Sequence, residues 1–277
     1  MQQQALGVTL LKHGPGFPGG SVPSIGAQMR IGLIAHYEFE GFNLFNDIHG
    51  TYDLVPISGG TFAGTTGRVR DCILWGTSYL RENGSLLAIQ NSFSVAGWIR
   101  FVSLPAFSTK TVVSKGTPAG ALEYTIITLN VGIQTDLIGI VRIDGENLSV
   151  GAAPVGGLLA NTWYFFAFTY NFDGITHRLQ LTINDQASFS EQLYTGVRGT
   201  SSDFVTFGCK SDLSDPVSSS DRFDEFSFWA RCISLNEVLY LYNGGNGRAF
   251  PWQSGALLQE GNDNNFLTPD GDKLAFP

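Results

Sequence analysis

The sequence predicts an all-β protein, a sandwich or barrel of antiparallel strands carrying one short helix. Three observations predict it. Strand-like segments recur at short spacing from Ile31 to about Pro251. Turn chemistry separates them, as in IDGEN, NFDGI and INDQA. Only the stretch after Ser234 carries a helical period. Many strands without intervening helices leave a sandwich or a barrel.

The chain divides into three units. Residues 1–30 form an N-terminal arm, with HGPGFPGGSVPSIG at its centre. Proline removes backbone donors and glycine raises the entropy cost of ordering, so this segment does not readily join a sheet or helix. It reads either as a solvating tail or as an extended assembly arm that orders on a partner. Val8, Leu10, Leu11 and Phe17 are the apolar groups such an arm would bury. Residues 31–251 form the globular body. IGLIAHYEFE opens it. FSVAGWIRF follows, placing Phe93, Val95, Gly97, Ile99 and Phe101 on one face and Ser94, Ala96, Trp98 and Arg100 on the other. EYTIITLNV, IGIVRID, WYFFAFTYN, RLQLTIND, DFVTFGC and DRFDEFSFWA are the further strands. Residues 252–277, polar and turn-rich, read as a C-terminal tail.

The helix follows the last strand. Ser234 and Glu237 have capping-box spacing, in which each side chain satisfies the other's backbone N–H. Leu235, Val238, Leu239 and Tyr242 share one helical face, and Asn243-Gly244 supplies a left-handed stop.

These closing residues carry a resemblance. An Asp-Glu strand (Asp224-Glu225), a connector, a Ser-initiated helix and a Tyr-Asn-Gly-Gly turn (Tyr242 to Gly245) resemble the end of laminin-G-like, concanavalin-A-like sandwich domains. IAHYEFEG resembles the family's opening strand, FSVAGWIRF its tryptophan strand, NTWYFFAFTYN the strand begun by Trp after a turn, and LQLTIND the next. The resemblance covers nearly all of residues 31–250. It implies an antiparallel β-sandwich jelly roll whose final strand is central to one sheet, with the helix covering an open end. It also implies a structural Ca2+ near the join of opening and closing strands, at positions matching Glu40, Asp47 and Asp224. Asp224 has an alternative role, accepting hydrogen bonds from loop amides. Laminin-G-like sandwiches occur on bacteriophage heads and tails, so the resemblance implies a virion structural, capsid decoration or adhesion protein.

Composition narrows the partners. Net charge is −8, and Lys and Arg are scattered singly. That excludes the basic footprint nucleic acid requires and argues against an anionic membrane surface, and no apolar run approaches a membrane span, so membrane insertion is not expected. The three cysteines, Cys72, Cys209 and Cys232, have no zinc or disulfide-framework spacing and read as buried thiols, with one disulfide between two of them as the alternative. MQQQALGVTLLKHGPGFPGG is not built as a signal peptide, so the expectation is synthesis in a host cytoplasm and residence in a virion.

Catalysis finds no motif. Glucanases of this fold use a close carboxylate pair. Here Asp221, Asp224 and Glu225 come nearest, but strand alternation turns Glu225 to the face opposite Asp224. His13, His36, His49 and His177 are isolated along the chain. For carbohydrate binding, Trp75 and Trp252 lie near turns and are the stacking candidates, whereas Trp98 and Trp163 read as packing. The sequons at Asn83 and Asn147 read as incidental. The expectation is a non-enzymatic virion protein whose partners are other virion proteins, copies of itself or a cell-surface glycan. The alternative is a stand-alone carbohydrate-binding module or glycoside hydrolase.

Overall fold

A computed structural model describes residues 24–41, 44–57, 62–76, 79–82, 92–105, 108–116, 122–130, 132, 134–193 and 196–252. Val8, Leu10, Leu11, Phe17 and Asn83 lie outside the described residues. A short helix, α1 (Ile25–Met29), precedes β1 (Leu33–Tyr37), β2 (Leu54–Pro56), β3 (Ala63–Thr66), β4 (Asp71–Leu74) and β5 (Leu80–Glu82). The long strands follow: β6 (Phe93–Arg100), β7 (Lys110–Lys115), β8 (Tyr124–Asn130), β9 (Thr135–Ile143), β10 (Glu146–Ala152), β11 (Trp163–Phe172), β12 (Thr176–Ile183) and β13 (Gln186–Leu193). Then come β14 (Val205–Phe207), β15 (Arg222–Trp229) and helix α2 (Leu235–Tyr242).

The strands form two antiparallel sheets, the sandwich the sequence predicts. One has the order β13-β12-β11-β6-β15-β4-β3, with β1 also paired to β15, and the other runs β10-β9-β8-β7-β14-β5-β2. Local chemistry fixes the connections. Between β9 and β10, Asp144 and Gly145 both take positive φ (48° and 88°), as a two-residue type I′ hairpin requires. The inward faces meet in one aromatic-rich core, in which Phe93, Val95, Ile99, Phe166, Phe168, Phe207 and Phe223 are buried.

β15 is the pivot of the first sheet. Its first residues pair with β4 and its last with β1, while β6 runs along its other side. Against β6 the register breaks: Asp224 faces Trp98, but Ser227 faces Ala96. The extra residue is a β-bulge, and Glu225 within it has φ 52°. The bulge changes the phase of alternation. Phe223, Phe226 and Phe228 all enter the main core, although strict alternation would separate the first from the other two. Gly97 lies in β6 between the two registers. A Cβ there would stand 2.5 Å from the Phe226 ring, so only a bare backbone leaves room for the bulged phenylalanine.

A second hydrophobic cluster covers the outer face of this sheet. Ala96, Trp98, Phe165, Ala167 and Trp229 form its floor; Val238 and Leu241 of α2, Met29 of α1, and Trp252 form its roof. Fully burying a side chain such as Val238 or Leu241 contributes about 1.5–3 kcal/mol. The helix therefore covers a sheet face and not the open end expected of it. Its buried stripe is also rotated from the expected one: Leu235 and Leu239 are exposed, and Leu241 is buried. The end caps are those the sequence specifies. Both halves of the Ser234–Glu237 capping box are present, and Asn243 ends the helix in the left-handed conformation.

Two expected boundaries move inward on the arms. Residues 24–30 belong to the body: Ser24 caps α1, Met29 is fully buried, and its carbonyl accepts the Trp229 indole N–H at 2.7 Å. Arg231 fastens α1 to α2, donating to the Gln28 carbonyl (2.9 Å) and to both Glu237 carboxylate oxygens (2.9 and 2.6 Å). Trp252 is buried in the second cluster and so belongs to the body; residues 253–277, where a tail is expected, lie outside the described residues.

Gly97→Ala is expected to lower stability by roughly 1–3 kcal/mol through overpacking against Phe226. That outweighs the ~0.4–1 kcal/mol gained by restricting the unfolded chain. Urea denaturation measures it, and an unchanged midpoint would contradict the tight contact.

Burial pushes the Glu237 carboxyl up, but hydrogen bonds from Arg231 and Ser234 outweigh it and hold the group below its ordinary value of 4.5. The stability it supplies is complete above that value and fades as pH falls through the lower folded one. Wild type is therefore expected to lose more stability than Glu237→Gln on acidification below pH 4.5, read by thermal melts across pH.

Candidate functional site

The expected stacking platforms are not surfaces. Trp75 is 1% exposed, with its ring 5.5 Å from Phe62 and 5.0 Å from Phe223. Trp252 is 2% exposed, 5.8 Å from the Trp229 ring and 5.3 Å from His36. This corrects the reading of both as sugar contacts: proximity to a turn in sequence placed them near the rim, but the core takes their faces. Trp98 is buried, as expected, and Trp163 is half-buried. Truncating Trp75 or Trp252 to alanine is expected to cost about 3–5 kcal/mol, the loss of a buried aromatic. A melting temperature within a degree of wild type would show that the rings are dispensable to the core.

The three expected calcium positions each hold a loop. Asp47 Oδ1 accepts the amides of His36 (2.9 Å) and His49 (3.0 Å), and Oδ2 that of Tyr52 (3.1 Å). Asp224 Oδ2 accepts the amides of Arg68 (2.7 Å) and Val69 (2.8 Å). Glu40 accepts the Asp71 amide at 3.3 and 3.2 Å and pairs with Arg70 Nε at 3.2 Å. Asp224 thus fills its alternative role. Among the described residues, the side chains that converge closely enough for one ion are instead His36, Glu38 and Glu225.

That cluster is a product of β1 and the bulge. His36 lies directly opposite Ser227 across the β1–β15 pair, and its Nδ1 is 2.6 Å from Ser227 Oγ. Its Nε2 is 3.1 Å from Glu225 Oε2. Glu38, two residues on from His36, pairs with Arg70 Nη2 at 2.7 Å; that guanidinium also stands 4.0 Å from Glu225 Oε1. The bulge has turned Glu225 to the helix-side face that Asp224 shares, correcting the expectation of opposite faces, and Glu225's charge acts on Asp224.

Burial sets the protonation of this cluster. It pulls the His36 imidazole down to about 4, against the charges of Glu38 and Asp47. Burial pushes the Glu225 carboxyl well above the carboxylate range, helped by Glu38 and opposed by Arg70. Asp224 is raised well above its range by burial and by Glu225, against the loop amides. Ser227, His36 and Glu225 form a hydroxyl–imidazole–carboxylate row, so His36 is not isolated as its sequence neighbours suggested. The row is no acyl-transfer site as folded. The space beside it is about 10 Å³, at the lower limit for one water, and the Phe250 and Trp252 rings lie 4.8 and 5.3 Å from the imidazole.

A different opening lies at the loop edge. A cleft of about 380 Å³ is lined by Ser103, Leu104, Pro105, Ser108, Thr109, Lys110, Asp215, Pro216 and Ser218. Lys110 forms its anchor: Nζ donates to Asp221 Oδ2 (2.7 Å) and to the Ser103 carbonyl (2.6 Å). Asp221, fully buried, also accepts the Val102 and Ser218 amides at 2.8 and 2.7 Å and so fixes both rims. Hydroxyls, carbonyls and one carboxylate at the mouth, with Pro105 and Pro216 beside them, present mixed polar and apolar surface. No sequence signal pointed here, because the cleft joins residues more than a hundred positions apart.

A family model described as the concanavalin A-like lectin/glucanases superfamily matches residues 75–239. Among curated proteins none matches the sequence. Domain 4 of AbnA, a GH43 extracellular arabinanase from Geobacillus stearothermophilus solved with arabinotriose, is similar in structure. It has a TM-score of 0.56 and 18% identity, over 75% of this chain and 96% of that one. The botulinum neurotoxin serotype D binding domain gives a TM-score of 0.59 at 15% identity, over 80% of this chain and 53% of that one. The binding domain of botulinum neurotoxin DC in complex with SialylT gives 0.55 at 15% identity, over 80% and 52%. The chain spans about half the length of those neurotoxin domains. At these identities the likeness is one of fold.

Proposed function

The chain belongs to the concanavalin A-like lectin/glucanases superfamily, and from that premise we propose that it is a non-enzymatic recognition module that contacts glycan through the loop-edge cleft. The observation that carries the reading is the cleft itself. Its hydroxyl-rich mouth is held in place from beneath by a buried ion pair, and a rigid polar rim suits a ligand recognised by its own hydroxyl groups. Two structural neighbours, the arabinanase domain and the neurotoxin DC binding domain, were solved with carbohydrate-named ligands, which supports the substrate class by analogy of fold. The carboxylates nearest to an enzyme's pair, Asp221, Asp224 and Glu225, are buried and engaged in holding loops or in the histidine cluster, which supports a binding role over hydrolysis.

The finer form of the proposal is display on a bacteriophage virion, as a decoration or adhesion protein. Its support is compositional. The Gly- and Pro-rich composition of residues 1–23, with apolar Val8, Leu10, Leu11 and Phe17, suits an attachment segment. An acidic, weakly charged chain also suits a repeated surface protein.

The test is a glycan array probed with the full chain, beside Ser108→Trp, which fills the cleft mouth from an exposed position. Wild type is expected to retain one class of oligosaccharide, and Ser108→Trp to bind it at least tenfold more weakly with unchanged melting. Equal retention by both, or none by wild type, would overturn the cleft as a glycan site. Antibody labelling of intact particles decides the display reading separately.

A further inference from the structure

We propose that His36, Glu38 and Glu225 form a binding site for a divalent transition-metal ion on the helix-side face of the first sheet. One imidazole nitrogen and two carboxylates offer ligand atoms that all lie within 4.8 Å of one another. His36 Nε2 and Glu225 Oε2 are already 3.1 Å apart, the separation of neighbouring ligands around an ion with bonds of about 2.0–2.2 Å. Glu38, the half-buried member, supplies the third ligand atom.

The second observation is the state of the buried atoms. His36 is 0% and Glu225 6% exposed, yet His36 Nε2 and both Glu225 oxygens lack a side-chain hydrogen bond of good geometry, and from the backbone only the Phe250 amide acts on the carboxylate. Buried polar atoms are ordinarily paired; here three of them face one another. Their orientation is imposed from outside the cluster. The bulge holds Glu225 at φ 52°, in the left-handed region, pointing its carboxylate at the imidazole. Ser227 Oγ lies 2.6 Å from Nδ1; in the tautomer in which that oxygen accepts the Nδ1 proton, the Nε2 lone pair is the one presented to an ion. An outer partner of that kind is how a metal-binding histidine is held in its tautomer.

Arg70 occupies the solvent side. Its guanidinium is half exposed and pairs with Glu38 and Glu40, so it neutralises the acidic groups and competes with an incoming cation. The donor set selects the metal. A nitrogen ligand with two carboxylates suits Zn2+, Co2+ or Mn2+, whereas Ca2+ and Mg2+ prefer oxygen alone. This site stands beside the Glu40, Asp47 and Asp224 positions expected for calcium and uses none of them.

The experiment is calorimetric titration of the full chain with ZnCl2 and with CaCl2, and visible absorption with CoCl2. One Zn2+ per chain is expected, with Ca2+ at least a hundredfold weaker. Glu38→Gln, at a partly buried position, is expected to weaken Zn2+ at least tenfold, whereas Arg70→Gln tightens it by removing the competing cation. His36→Gln is expected to abolish the Co2+ bands. No saturable Zn2+ binding, or binding that neither Glu38→Gln nor Arg70→Gln changes, overturns the site. Equal affinity for Ca2+ overturns the nitrogen-ligated assignment. Should a variant fail to fold, the remaining substitution at Glu38 or Arg70 decides, since their effects have opposite sign.

Discussion

One extra residue in β15 organises the first sheet. The strand must send Phe223, Phe226 and Phe228 into the main core while passing from β4 to β1 along one edge. A regular ladder cannot do both, because its side chains alternate with a period of two. The bulge at Glu225 resolves the conflict by shifting the phase, and Gly97 in the facing strand makes room for it. The same shift decides what lies on the other side. Glu225, Ser227 and Trp229 emerge together beneath the helix, so the histidine cluster and the floor of the second core share one geometric cause.

The cost of this arrangement is buried charge. A protein with 14% charged residues places Asp221, Asp224, Glu225 and Glu123 out of water. Each is handled differently. Asp221 has a lysine and two amides. Asp224 has two loop amides. Glu123 pairs with Lys115 and Arg198. Glu225 has an imidazole, the Phe250 amide and a distant guanidinium, and burial raises its carboxyl well above the carboxylate range. The first three pairings fasten strand to loop or strand to strand, as a structural role requires. The fourth sets its carboxylate against an imidazole, and this sets the cluster apart from the other three.

Much of the architecture was legible in the sequence because its signals are local. The alternation of Phe93 to Phe101, the capping box of Ser234 and Glu237, the stop at Asn243 and the I′ turn at Asp144-Gly145 each lie within a few residues. What was not legible depends on contacts distant in sequence. Alternation put Glu225 opposite Asp224, because a bulge leaves no mark in the strand that carries it; the one hint was a glycine in β6. The partner of His36 lies 191 positions away at Ser227. Trp75 and Trp252 looked peripheral by their neighbours, yet tertiary packing took both rings. The loop-edge cleft, assembled from two distant segments around Asp221, gave no local signal at all. Residues 24–30 read as arm because their glycine and proline neighbours outweighed a single short turn, which Trp229 and Arg231 hold in place.

The two candidate sites differ in kind. The cleft is open, hydroxylated and supported from below, and recognition there asks nothing of the core. The histidine cluster is closed, sits between sheet and helix, and exists only if the bulge does. The most direct measurement is therefore the β6–β15 register itself, from cross-strand nuclear Overhauser contacts. The account predicts Trp98 opposite Asp224 and Ala96 opposite Ser227, with Gly97 spanning both intervening residues. An unbroken ladder, with Gly97 opposite Glu225 and Ala96 opposite Phe226, would contradict it.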